Sequence, residues 1–479
     1  MTFETDRQRW TALYVLCTAV LMIVLDVTVV NVALPSIQED LGFSPSSLAW
    51  VVNAYLIAFG GLLMLAGRLG DLISRRGVFL FGLALFTVAS VLCGVSQSQE
   101  MLVISRFVQG VGGALSSAVV LGMIVHMFPQ PREQAKAIGV YGFVASAGGS
   151  IGLLVGGVLT DSINWHWIFF VNVPIGIATA VFAVRLLEHD RGIGLDRGAD
   201  VLGAFLITSG LMLLVYTIVD PAAKDGWGDG RTLAFLGGSI ALLIAFVIRE
   251  STARTPLIPL GIFRSRTTSG ANVIQLVGVP AMFGMFFLGA LYLERVLHYS
   301  PMEIGLAFLP GSLIMGVLSL RYTERLIHRF GARPVVIAGF ALVLAAVLLF
   351  ARAPVDGSYV VDLLPLMILF GFGGGLGFPA LVTLAMAGVQ PEQAGLASGL
   401  VNTTAQVGGA LGLAVLATAA ASRTEHLESV GRATADALTG GYHLAFLIGA
   451  GLLAVALLVA VFVLRSPRGP AAVPAPAES

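Results

Sequence analysis

Charge is what this chain has least of. Asp, Glu, Lys and Arg make up 11% of its 479 residues, against about 25% in an ordinary globular domain. The 27 acidic and 27 basic side chains cancel, so no charge excess draws a nucleic acid or an acidic partner. Cysteine is nearly absent. Cys17 and Cys93 offer no metal spacing and no disulfide framework, and both fall in apolar runs as small packing residues do. There is no Walker phosphate loop, catalytic triad, metal cluster or Rossmann fingerprint. The sequence therefore offers no ATP site and no enzyme chemistry, and no cofactor is expected.

What fills the chain is apolar: 57% hydrophobic residues and a mean hydropathy of +0.91. These residues come in runs long enough to cross ~30 Å of hydrocarbon as helices. The runs lack the alternation of barrel strands, so an all-α polytopic membrane protein is expected. Fourteen spans are expected near 11–36, 48–67, 78–96, 101–128, 136–160, 166–186, 199–219, 233–248, 268–293, 303–320, 334–351, 359–385, 393–421 and 441–464. The first is too long for a signal-peptide core and no small-residue cleavage site follows it, so it is read as an uncleaved helix.

The basic residues test that count. Of the 27 Lys and Arg, Lys224, Arg231, Arg295, Arg352, Arg423 and Arg432 fall in one set of alternate connectors, and Arg106 lies inside a span. All the others share the side of the N-terminus. The positive-inside bias then makes both termini cytoplasmic, in a cell membrane that is most simply a bacterial inner membrane.

Along the chain, residues 1–190 read as a six-helix bundle, 191–264 as two extra spans, 265–466 as a second six-helix bundle, and 467–479 as a disordered Pro/Ala tail. The bundles look like a faint repeat. The connector from Gly67 to Arg76 aligns with that from Glu324 to Arg333, pairing Leu69 with Leu326, Asp71 with His328, Ser74 with Gly331 and Arg76 with Arg333. Internal repeats of this kind mark transporters that bind substrate between two halves. The extra pair is nearly free of polar side chains, which argues against a substrate path through it.

Two charges break the apolar runs. Asp26 lies ~24 Å along the first span from residue 10, and Arg106 lies ~9 Å inside its helix end. A charge at bilayer depth costs on the order of 2.5–3.5 kcal/mol, so both are functional-site candidates. Burial raises a carboxyl pKa, so Asp26 could alternate between neutral and charged forms. The alternative is a fixed pair with Arg106, which would hold Asp26 charged throughout. Arg106 cannot readily lose its proton, but it can bias a carboxylate or bind carbonyls. Gly67, Asp71, Arg75 and Arg76 make a compact charged connector that can clamp helices or simply turn the chain. Gly148, Gly152 and Gly156, followed by Gly157, let two helix backbones approach closely. Asn31, Gln109, Asn272, Gln275, Asn402 and Gln406 are polar residues in spans that could line a cavity or satisfy a neighbouring backbone group. Glu294 and Arg295 are expected to snorkel, and His443 to be a packed polar residue.

These residues together resemble the major facilitator superfamily, specifically its fourteen-helix drug:proton antiporter branch. The first span is similar to that branch's Leu-Asp-x-Thr-x-x-Asn-x-Ala-Leu-Pro motif through Leu25, Asp26, Thr28, Asn31, Ala33, Leu34 and Pro35. The loop motif is matched by Gly67, Leu69, Asp71, Arg75, Arg76 and Leu80, with Ser74 in place of the usual glycine. Arg106, Gln109 and Gly110 match Arg-x-x-Gln-Gly; Gly152, Gly156 and Gly157 match the antiporter motif, with Leu153 where proline is usual. The resemblance implies a major facilitator fold and alternating access by two rocking bundles. It implies export of small amphipathic organic compounds driven by the proton gradient, with no cofactor. Asp26 and Arg106 would couple protons, and Asp71 with Arg75 would gate the inner side. The implied partners are the substrate, protons and membrane lipid. A dedicated exporter of one endogenous product is the alternative reading; a non-transporting ligand sensor is a third. On this reading Asp26→Asn is expected to abolish uphill export and leave folding intact.

Overall fold

The computed structural model describes residues 6–128, 130–190, 192, 194, 198–258, 260–386 and 394–464. Among them there is no strand, and the helices run in this order: α1 Asp6–Leu41, α2 Trp50–Leu72, α3 Arg75–Gly94, α4 Gln99–Met127, α5 Pro131–Ser162, α6 Trp167–Phe170, α7 Asn172–Leu186, α8 Val201–Val219, α9 Pro221–Lys224, α10 Gly230–Thr252, α11 Arg266–Arg295, α12 Pro301–Arg321, α13 Thr323–Phe330, α14 Ala332–Phe350, α15 Leu364–Met386, α16 Ala394–Ser429 and α17 Thr434–Phe462. Among the described residues, thirteen helical segments are long and apolar enough to cross a membrane, α6 and α7 running together as one of them. The remaining expected span corresponds to α5, a 32-residue helix whose Ile151–Ser162 stretch is a shorter apolar segment.

The helix ends follow from local chemistry rather than from hydropathy. Ser74, Ser98, Asp200, Ser265 and Ser300 each cap the helix that follows by accepting a backbone N–H, which satisfies donors left open in the first turn. The first helix continues to Leu41 and α16 to Ser429, past the expected 36 and 421. A helix carries polar residues beyond its apolar stretch, so apolar run length alone misplaces such ends.

The packing repeats itself. In the first half α1 packs on α5 and α7, α4 on α2 and α3, and α3 on α7. In the second half α11 packs on α16 and α17, α15 on α12 and α14, and α14 on α17. Each first-half pair has its counterpart in sequence order. The halves meet where α5 packs on α12 and α2 on α16. The extra pair, α8 and α10, packs together, and α8 lies against both α2 and α16.

The aligned connectors make the same contact in both halves. Arg76 Nη2 donates to the carbonyl of Val184 in α7, at 2.8 Å. Arg333, its aligned partner, donates to the carbonyls of Ala460 and Val461 in α17. Each arginine stands in the first turn of its helix, α3 or α14, and ties it to the last helix of its half, where carbonyls have no partner within their own helix.

Candidate functional site

Asp26 and Arg106 are brought together. Arg106 Nη1 donates to Asp26 Oδ2 at 2.6 Å, and the two side chains are 1% and 0% exposed. Arg106 also donates through Nη1 to Gln109 Oε1 at 2.6 Å and through Nε to the carbonyl of Val51 at 2.9 Å. The other carboxylate oxygen, Asp26 Oδ1, accepts from Gln109 Nε2 and from Asn172 Nδ2, both at 2.8 Å. Gln109 Nε2 reaches Ser90 Oγ as well. The guanidinium lies 4.5 Å from the centre of the Tyr55 ring and 5.7 Å from that of Phe169, contacts that stabilise a desolvated cation. Side chains or backbone from α1, α2, α3, α4, α6 and α7 thus enclose one acid and one base.

Helical spacing explains part of this. Arg106 and Gln109 are three residues apart in α4 and share a face. Gly110 follows, and a Cβ there would stand 2.5 Å from the carbonyl of Tyr55, so glycine is what lets α4 approach α2. Asn172 was not among the residues singled out from sequence. Its signal was an amide inside an apolar run, at the start of α7. Tyr55 and Ser90 carried no signal that sequence spacing could distinguish from ordinary packing.

Gln109 is fully buried and bonded to both members of the Asp26–Arg106 pair. Asn31 Nδ2 donates to the carbonyl of Val27 in its own helix. Asn272 donates to the carbonyl of Thr268 and accepts from Thr404 Oγ1, which joins α11 to α16. Gln275 is buried with Oε1 unpartnered. Gln406 packs where α16 meets Gly60 of α2, and Asn402 is exposed. Glu294 and Arg295 stand half-buried at the end of α11, with Oε2 and Nε buried and without a partner. His443 Nε2 lies 2.8 Å from the carbonyl of Ala353, a packed polar contact.

The glycine series has a defined target. A Cβ on Gly148 would meet Val24, one on Gly152 would fall 1.8 Å from Thr28 Oγ1, and one on Gly156 would fall 2.9 Å from Val29 Cα. All three face α1, the helix that carries Asp26. Gly157 faces α12 instead, 2.9 Å from the carbonyl of Pro301. Leu153 is buried, and its carbonyl is the surface against which Gly305 of α12 packs. One helix therefore contacts both the acid-bearing helix and the opposite half.

In the charged connector, Arg75 donates to Asp71 Oδ1 through Nη2 at 2.8 Å and Nε at 3.1 Å. Gly67 lies against Ala118 of α4. The connector is held by Asp190, which sequence reasoning passed over. Asp190 Oδ1 accepts from Ser74 Oγ at 2.6 Å and from the Arg76 N–H at 3.1 Å; Oδ2 accepts from the Arg75 N–H at 2.7 Å. A carboxylate thus sits on the N-terminus of α3, where backbone donors and the helix dipole favour it. Desolvation pushes its pKa up, but the bonds from Ser74, Arg75 and Arg76 outweigh that and hold it below 3.8. The same segment adds Gly192 N–H to the carbonyl of Ile73 and Gly194 N–H to that of Leu72, while Arg76 Nη1 meets His189 Nε2 at 2.6 Å. Ser74, standing where glycine is usual, supplies a bond that glycine could not.

A family model described as the Major Facilitator Superfamily matches residues 16–413. The chain belongs to the major facilitator superfamily. It is 39% identical over 464 residues to the puromycin resistance protein pur8 of Streptomyces alboniger, covering 95% of this chain and 91% of that protein. It is also 39% identical to the cephamycin export protein CmcT of Amycolatopsis lactamdurans, over 86% of this chain and 85% of that protein. The tetracenomycin C resistance and export protein of Streptomyces glaucescens is 34% identical over 86% of this chain and 76% of its own length. Among solved structures, a bacterial homologue of the human lysosomal transporter Spinster superposes with a TM-score of 0.67 over 98% of this chain and 100% of the other, at 18% identity. The chain is thus a multi-pass membrane protein of a transporter family, not an enzyme.

Proposed function

We propose that this protein exports small amphipathic organic compounds, antibiotics among them, across a bacterial plasma membrane in exchange for protons. Fourteen spans would cross that membrane, with both termini and the Asp71 connector on the cytoplasmic side. Residues 1–190 and 265–466 would rock against each other, with 191–264 as the extra pair. The observation that carries the coupling is the Asp26–Arg106 pair, buried away from every surface. A carboxylate held by a guanidinium and two amides exchanges a proton only when that shell opens, and this is what links titration to conformation. Asp71, Arg75, Arg76 and Gly67 would form the cytoplasmic gate, with Asp190 as its lock. Gly148, Gly152, Gly156 and Gly157 would provide sliding contacts between α1, α5 and α12. The cargo would enter between the halves, past residues such as Asn31, Asn272, Gln275, Asn402 and Gln406. Membrane lipid would be the remaining partner.

A second reading is export of one self-made compound. It is favoured by the names of the relatives, each of which cites a single antibiotic. The test uses full-length protein in liposomes with an imposed pH gradient and an internal pH dye. Proton flux triggered by several unrelated amphipathic compounds supports the first reading, and flux with one compound supports the second. No flux with any compound from folded protein would overturn the coupling.

A further inference from the structure

The extra helices carry a buried pair of acids, far in sequence from Asp26. Asp200 caps α8, its Oδ1 accepting from the Gly203 N–H at 2.9 Å, and its side chain is 0% exposed. Arg249 Nε reaches both of its oxygens, at 3.0 and 3.3 Å. Next in the chain, Glu250 is 4% exposed. Its Oε2 accepts from the Ile258 N–H at 2.7 Å, but its Oε1 is buried with no partner. That orphan oxygen and Asp200 both lie against Gly203. A Cβ placed on Gly203 would be 2.7 Å from Asp200 Oδ2 and 2.9 Å from Glu250 Oε1, so the two oxygens border the same methyl-sized space.

An ionised carboxyl can only accept hydrogen bonds. If both acids were ionised, two buried negative charges would face a single guanidinium, and Oε1 would have no donor. Neighbouring buried carboxylates resolve such a conflict by sharing a proton. Asp200 already holds Arg249 and the α8 N-terminus, so the proton is assigned to Glu250. A proton on Glu250 Oε1 removes the surplus charge and turns the orphan acceptor into a donor facing Asp200 Oδ2. Burial favours the neutral form and outweighs the Ile258 and Leu257 N–H groups, which favour the charge; Leu65 of α2, Ala204 of α8, Phe246 of α10 and Leu257 make a small apolar cluster there. The charged groups facing Glu250 are Asp200 and Arg249; from α2, Arg68 Nε reaches the carbonyl of Gly198 at 3.3 Å.

We propose that Asp200 and Glu250 form a carboxylate–carboxylic acid pair that holds one proton, on Glu250, at neutral pH. This is a proton-binding site on the extra helices, separate from Asp26 and independent of whether the protein exchanges protons for cargo. The pair fastens the end of α10 to the start of α8 through an uncharged contact, and the proton completes it.

The test uses the full-length protein purified in detergent at neutral pH. Infrared spectra should show a protonated-carboxyl stretch that is lost in Glu250→Gln. Identical wild-type and Glu250→Gln spectra in that region would overturn the proposal. Thermal unfolding gives a second arm. Glutamine has the shape and neutrality of the protonated acid and can donate to Asp200, so Glu250→Gln should unfold at the wild-type temperature. Glu250→Ala should unfold earlier. The folded wild type binds a proton that the unfolded chain releases, so its midpoint should fall as pH rises; in Glu250→Gln that slope should be lost. A Glu250→Gln midpoint as low as that of Glu250→Ala would mean that an ionised Glu250 is required, and would sink the proposal.

Discussion

Replacing Asp26 by asparagine leaves Arg106 buried, at 1% exposure, without the carboxylate it faces. Breaking a buried pair from one side costs about 3–5 kcal/mol, because a charge is left uncompensated. Geometry sharpens the expectation. The two oxygens of Asp26 receive three donors, from Arg106, Gln109 and Asn172. Asparagine presents one oxygen and one amide, so a donor ends up facing a donor. The sequence alone suggested that folding would stay intact; the buried pair predicts instead that Asp26→Asn loses about 3–5 kcal/mol of stability. The mirror variant Arg106→Gln should lose less, because Asp26 keeps its bonds from Gln109 and Asn172, whereas in Asp26→Asn the guanidinium keeps its charge with no carboxylate beside it. The double variant should recover much of the Asp26→Asn loss, giving a coupling energy of about 2–3 kcal/mol in the cycle. The assay is unfolding of full-length protein in mild detergent, with proton-driven transport in liposomes measured in parallel. Asp26→Asn as stable as the wild type, with additive effects in the cycle, would refute the ion-pair argument. Normal uphill export by the double variant would refute the role in proton coupling.

Three further outcomes follow from the packing. Gly152→Ala drives a methyl to 1.8 Å from Thr28 Oγ1 and 3.1 Å from the carbonyl of Leu25, so it should cost about 1–3 kcal/mol; Thr28→Ala should restore part of that, and an unchanged midpoint would show that α1 and α5 separate freely. Asp190→Asn removes a charge-assisted cap and should cost about 1.5–3 kcal/mol, read as lower stability and faster proteolysis at the 187–194 segment. Because Asp190 is held below its ordinary pKa of 3.8, its contribution is complete above that value and lost as pH falls below it; wild type and Asp190→Asn should therefore converge in acid, and a constant gap down to low pH would contradict the assignment. Leu153→Pro restores the usual motif residue but takes a donor from the middle of α5, and should cost about 3 kcal/mol. An unaltered unfolding midpoint would mean that α5 bends there without loss.

Apolar run length and the scarcity of charge were enough to read a helical membrane protein, the places of most helices, and the two charges that matter. Those features need no knowledge of neighbours: water-free surroundings force backbone groups into helices, and a charge inside a span stands out against its own segment. The aligned connectors were legible too, and the matching contacts of Arg76 and Arg333 give that faint repeat a physical meaning. The sequence left open whether Asp26 stands alone or beside Arg106. That was decided by the packing of α1 against α4, helices whose facing residues are separated by 80 positions. The same holds for Asn172 at Asp26, Asp190 at the charged connector, and Glu250 at Asp200. Each is an ordinary polar residue in sequence, and each gains its role from a partner supplied by another helix or connector. A side chain's chemistry is local, but its protonation and its partners depend on what the fold puts within 3 Å of it.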